Sequence, residues 1–99
     1  MSKCKITVLK RTIHQDLVDE YLDGEMGPCD QFQDGQEFVV ESNWSPPEGF
    51  CNWAWADIRK EVFAIRNGAD LSWTKPTSAA ITCCTDGYRP VIFKVERVE

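Results

Sequence analysis

The chain has a single histidine, His14, in 99 residues. Chemistry that needs two imidazoles, including the HExxH type of metal site, is thereby excluded. No Ser/His/Asp set, glycine-rich phosphate loop or paired-carboxylate pattern occurs either. No Cys-x-x-Cys pair is present, so the local knuckle from which most zinc and iron–sulfur sites are built is missing. Apolar runs are short, well under the ~20 residues needed to cross a bilayer. The first residues, from Met1 and Ser2 into Cys4–Val8, carry positive charge but no apolar h-region. They read as the lead into a strand, and the expected location is the cytoplasm, where thiols stay reduced. There is no internal repeat, low-complexity stretch or linker, so the whole chain, 1–99, is expected to be one domain.

Basic charge is scarce in the first half. Residues 1–50 hold 4 basic and 10 acidic side chains, giving −6, and residues 51–99 hold 7 and 6, giving +1. The net charge of −5 argues against nonspecific nucleic-acid binding, which depends on neutralising phosphates. The acidic run from Asp16 to Glu25 reads as a solvated helix face.

What the chain does have is apolar pattern, tryptophan and cysteine. Cys4, Ile6 and Val8 alternate with Lys5 and Thr7, which predicts a strand over 4–12 with one buried face, although Leu9 and Ile13 break the alternation. Leu17, Val18, Tyr21 and Leu22 predict a short helix over 15–23 that stops at Gly24. Phe38-Val39-Val40 predicts a strand over 37–41. The segment 43–49, from Asn43 to Gly49, is a loop around Pro46-Pro47. Cys51, Trp55, Ile58, Val62 and Ile65 form one stripe at helical spacing, predicting a helix over 52–66 that ends at Asn67-Gly68. Strands are expected over 79–84 and 91–98, joined as an antiparallel hairpin by a loop of about five residues around Asp86-Gly87. The order β-α-β-α-β-β points to an α+β domain: a mainly antiparallel sheet with helices on one face, or alternatively a small, partly closed barrel.

Five cysteines stand out: Cys4, Cys29, Cys51, Cys83 and Cys84. Cys51 opens the long helix, where free backbone N–H groups favour a thiolate. Adjacent strand residues point to opposite faces, so of Cys83 and Cys84 one looks inward and the other outward. Trp53 and Trp55 lie about 200° apart on the helix. Trp53 is therefore expected to be exposed, or covered either by the 69–78 loop through Trp73 or by a partner. Asp86 suits the turn, and Arg89 is a candidate contact for an anion.

The chain resembles a family of short, uncharacterised bacterial and archaeal proteins. The resemblance lies in Lys3-Cys4-Lys5-Ile6, in Gly27-Pro28-Cys29, in Pro47-Glu48-Gly49-Phe50-Cys51-Asn52-Trp53-Ala54-Trp55, and in the stretch from Cys83-Cys84-Thr85-Asp86-Gly87 to Tyr88-Arg89-Pro90-Val91-Ile92-Phe93. It implies a self-contained domain and brings no activity with it. It admits proline at position 84, which implies that Cys84 is the least needed of the five thiols.

Three readings remain open on the sequence. One is a binding domain, self-associating as a homodimer or taking a small molecule, that acts through Cys51, Trp53, Asp86 and Arg89. Another is a zinc or iron–sulfur protein with Cys29, Cys51 and Cys83 as ligands, Cys84 being the alternative to Cys83 and Cys4 or His14 a candidate fourth. The last is a thiol enzyme with Cys51 as nucleophile and Cys29 or Cys83 as resolving thiol.

Overall fold

A computed structural model of the chain describes residues 3–42 and 44–98. Met1 and Ser2 of the expected lead-in, and Asn43 of the expected 43–49 loop, lie outside the described residues. Six elements follow in order: β1 (Cys4–Arg11), α1 (Gln15–Tyr21), β2 (Glu37–Val40), α2 (Asn52–Arg66), β3 (Ala79–Cys83) and β4 (Val91–Arg97). The strands form one antiparallel sheet in the order β2-β1-β4-β3. The sheet is open, with β2 and β3 at its edges, so the protein is a small α+β domain and the barrel alternative is ruled out. No helix among the described residues is long and apolar enough to cross a membrane.

Alternation decides which face is buried. Cys4, Ile6 and Val8 of β1, Phe38 and Val40 of β2, and Val91, Phe93 and Val95 of β4 all point to one side and are buried. α2 covers that side with Trp55, Ile58, Val62 and Ile65, the stripe seen in the sequence, and rests on β1, β3 and β4. The break at Leu9 has a structural cause. Val8 pairs with Phe93 and Lys10 with Ile92, so Leu9 is the extra residue of a bulge and is left exposed. The β3–β4 connection runs over residues 84–90, longer than the five expected, because β3 ends at Cys83.

α2 ends as its Asn-Gly pair requires. Gly68, at φ +96°, donates its N–H to Ile65 O, and Ala69 donates to Ala64 O, the two bonds of a Schellman cap. Arg97 of β4 reinforces this end, its Nη1 donating to Ile65 O at 2.8 Å and Ala69 O at 3.0 Å. α1 is added at the rim. Its one buried side chain, Val18, lies outside the main core cluster.

Phe32 packs edge-on against Phe38, Phe50 and Phe93, with centroids 6.0, 5.1 and 5.2 Å away. Phe32→Ala is therefore expected to cost about 3–5 kcal/mol of stability, read from the denaturant midpoint. A second expectation concerns Cys4. It is fully buried, and burial pushes its thiol up from 9.0 to about 11, with Arg66 acting in the opposite direction. Between those values the unfolded chain releases this proton and the folded chain keeps it, so stability falls as pH rises. The contribution is whole below pH 9.0 and gone above about 11, amounting to about 2–3 kcal/mol. Urea denaturation between about pH 8 and 10 should show a decline that is smaller in Cys4→Ala; equal slopes in the two proteins would refute this.

Candidate functional site

Three segments meet at one end of the core around a half-open cavity of about 480 Å³. They are the first turn of α2, the loop that carries Cys29 and Phe32, and the 84–90 loop. Cys51, Trp53, Asp86 and Arg89, the residues expected to form a binding surface, all line it.

The first segment is set by Phe50. Its ring is buried among Phe32, Phe38, Phe93 and Trp55, and its N–H donates to Pro47 O. Cys51 follows in extended conformation as the N-cap of α2, its carbonyl accepting from Trp55 N at 2.9 Å. The Cys51 side chain makes no capping hydrogen bond, and no acidic residue occupies the first turn. Trp55 faces the core, while Trp53 on the opposite side is 75% exposed. Trp73 does not cover it, being 79% exposed itself and placed in a different groove with Leu71 and Ile81.

The second segment is tied to β1 by Arg11. Its Nη1 donates to Cys29 O at 3.1 Å and its Nε to Asp34 Oδ1 at 3.1 Å. Phe32, buried in the core, is the other anchor, and it places Cys29 and Gln31 on the cavity wall.

The third segment is held from α2. Asp57 Oδ2 accepts from Thr85 N at 2.8 Å and from Thr85 Oγ1 at 3.0 Å. Asp86 then organises the turn, its Oδ1 accepting from Tyr88 N and Arg89 N at 2.9 and 3.2 Å. Asp86 Oδ2 lies 3.5 Å from Arg89 Nε, an ion pair. Arg89 Nε is buried and makes no hydrogen bond. This end of the protein is thus built from short local bonds around one guanidinium whose Nε donates no hydrogen bond.

The cysteines are placed differently from the expected ligand set. The inward positions of β3 and its extension are Ala80, Thr82 and Cys84, so Cys83 is on the outer face and exposed. Cys84 is buried and lines the cavity with Cys29 and Cys51. Its N–H donates to Val91 O, and its Sγ accepts from Val91 N at 3.3 Å, so the thiol also closes the hairpin. Cys29, Cys51 and Cys83 are not brought together. Among the described residues no three His, Cys, Asp or Glu side chains are placed to hold a metal ion. His14 is exposed at the N-cap of α1, and its N–H donates to Tyr88 O.

Sequence reasoning missed Phe32, Tyr88 and Asp57, and it weighed Cys84 only as an alternative to Cys83. For Asp57 a signal was present, since Trp53 and Asp57 are four residues apart on one helix face. Comparison with protein-family models, with curated proteins and with solved structures found no match.

Burial sets the expected order of thiol alkylation in the native protein. Cys83 should label first, Cys29 and Cys51 more slowly, and Cys4 and Cys84 only on unfolding. Timed iodoacetamide labelling read by peptide mass spectrometry tests this. Cys51 overtaking exposed Cys83 would instead mark an activated thiol.

Proposed function

We propose that this domain binds a small, largely apolar ligand with one anionic end, seated in the cavity at the first turn of α2. One observation carries the reading: Arg89 lines the cavity together with Phe32, Trp53, Ala54 and Tyr88, and its guanidinium approaches Asp86 no closer than 3.5 Å. At about 480 Å³ the cavity falls in the size range of small-molecule sites. The uncapped first turn of α2 adds backbone N–H groups and the positive end of the helix dipole on the same side. Asp86 does not use up Arg89. Its Oδ1 is engaged by two backbone N–H groups, and the 3.5 Å approach of Oδ2 is too long for a good charged hydrogen bond. The proposed setting is cytoplasmic, supported by five cysteines all in the free thiol form.

Trp53 at the cavity reports binding by its fluorescence. Aromatic and medium-chain carboxylic acids should quench or shift it, and their neutral amides should bind at least tenfold more weakly. Arg89→Met should reduce carboxylate affinity about tenfold or more, in keeping with a charged hydrogen bond of roughly 1.5–3 kcal/mol, while leaving the melting curve close to wild type. Acids and amides binding alike, or Arg89→Met binding as well as wild type, would refute the reading.

A further inference from the structure

The cavity leaves one element of the fold without a purpose. α1 has an apolar face, Leu17, Val18, Tyr21 and Leu22, but the protein buries only Val18 fully. Leu17 is 36% and Tyr21 71% exposed. A seven-residue helix is far too short to be stable on its own apolar pattern. α1 is not among the elements packed on the sheet, and the molecule is drawn out to 45 × 29 × 20 Å. Its radius of gyration, 14.3 Å, exceeds the roughly 12.6 Å of a compact chain of this length.

Its charge is equally one-sided. Residues 15–25 hold five acidic side chains and no basic one, so the other 88 residues carry eleven of each sign, and the whole net charge of −5 resides in this arm. A site of matching character lies on the outer side of α2. Trp44, 75% exposed, and Phe63, 46% exposed, form the floor of a groove of about 470 Å³ flanked by Arg59 and Lys60. Lys60 is paired with Glu61, while Arg59 has no ion-pair partner among the described residues. Within one chain the groove is open, because α1 is tied at its start to the 84–90 loop through His14 N and Tyr88 O, 2.7 Å apart.

We propose that α1 of one copy docks in the Trp44–Arg59–Phe63 groove of a second copy. Leu17 and Tyr21 cover the exposed rings, and the acidic side chains of the arm face Arg59 and Lys60. The exposed parts of these apolar side chains amount to roughly 500 Å² per contact, so one contact is too small to be specific. Two reciprocal contacts reach the ~1,000 Å² that a specific interface needs. The assembly is therefore a two-fold dimer in which each copy gives one arm and receives one.

Sedimentation velocity on the full chain tests this. The wild type should dimerise at concentrations on the order of 10–100 μM in low salt, and raising the salt to about 0.5 M should weaken it severalfold, since the pairs are surface charges. Asp16→Lys with Glu20→Lys should be monomeric, as should Arg59→Glu with Lys60→Glu, each with an unchanged circular dichroism spectrum and melt. Mixing the two variants should restore a dimer, because one reversed arm then meets one reversed groove; this also shows that neither had merely misfolded. A wild type that is monomeric at about 0.5 mM in low salt, or a dimer indifferent to both reversals, overturns the proposal.

Discussion

The structure depends on a cluster of aromatic rings that does what the long helix cannot. α2 is about 22 Å long and lies across β1, β4 and β3, leaving the inner side of β2 without a helical cover. Phe38 of that strand would meet water if nothing else came over it. Phe32 and Phe50, each from a loop, close the gap, with Phe50 4.9 Å from Phe38 and 6.2 Å from Trp55. The same rings determine where the functional groups stand. Cys51 and the helix start follow Phe50 directly, and Gln31 and Cys29 precede Phe32 by one and three residues. Burying two rings therefore fixes two walls of the cavity, and core stability and site geometry become a single requirement.

The two ends of α2 are treated in opposite ways. At the C-terminus Gly68 supplies the cap, Arg97 donates to Ile65 O of the last turn and to Ala69 O just past it, and Arg66 sits in the final turn. At the N-terminus nothing comparable occurs: Cys51 withholds its side chain, and the first acidic residue, Asp57, turns to Thr85 instead. A helix end left this way costs stability unless solvent or a ligand meets its N–H groups. The outer face of the sheet is neutralised differently. Glu37, Lys5, Glu96 and Lys94 run across it as a ladder of ion pairs at 3.3 to 3.6 Å, and Glu37 followed by Glu96 pushes the Lys5 ammonium to a higher pKa. Such exposed pairs add little stability. They make the middle of that face polar, while Val39 and Ile81 on the two edge strands stay exposed.

The elements were legible because their periods are unmixed. The stripe from Cys51 to Ile65 and the alternation of Val91, Phe93 and Val95 leave no choice of face. The bulge at Leu9 was visible only as a fault in the pattern, since a strand cannot show from its own sequence that its partner will skip a residue. The site was legible in part. Cys51, Trp53, Asp86 and Arg89 converge as their motifs suggested, because each motif is local and its turn chemistry is written in Gly, Asp and Pro. The choice between Cys83 and Cys84 was not local. Alternation said that they must face opposite ways, but which one turns inward depends on the register of β3 against Phe93 and Val91. Phe32 was invisible for a different reason: a lone phenylalanine between Gln31 and Gln33 carries no period, and only the gap over β2 explains it.

The chain of bonds behind the cavity argues that its shape exists before any ligand arrives. Asp57 holds Thr85, Asp86 holds the N–H groups of Tyr88 and Arg89, and Cys84 closes the hairpin onto Val91. Each of these bonds spans a short distance on rigid supports, one a helix and the other a hairpin. The seven-residue loop therefore loses its freedom on folding rather than on binding, and a ligand meets an ordered wall. The mouth is different, because the Trp53 indole is 75% exposed. A rigid interior behind one free indole allows a ring to close over an apolar body without moving the backbone. For the proposed ligand, that combination suits recognition of its shape and of one charge.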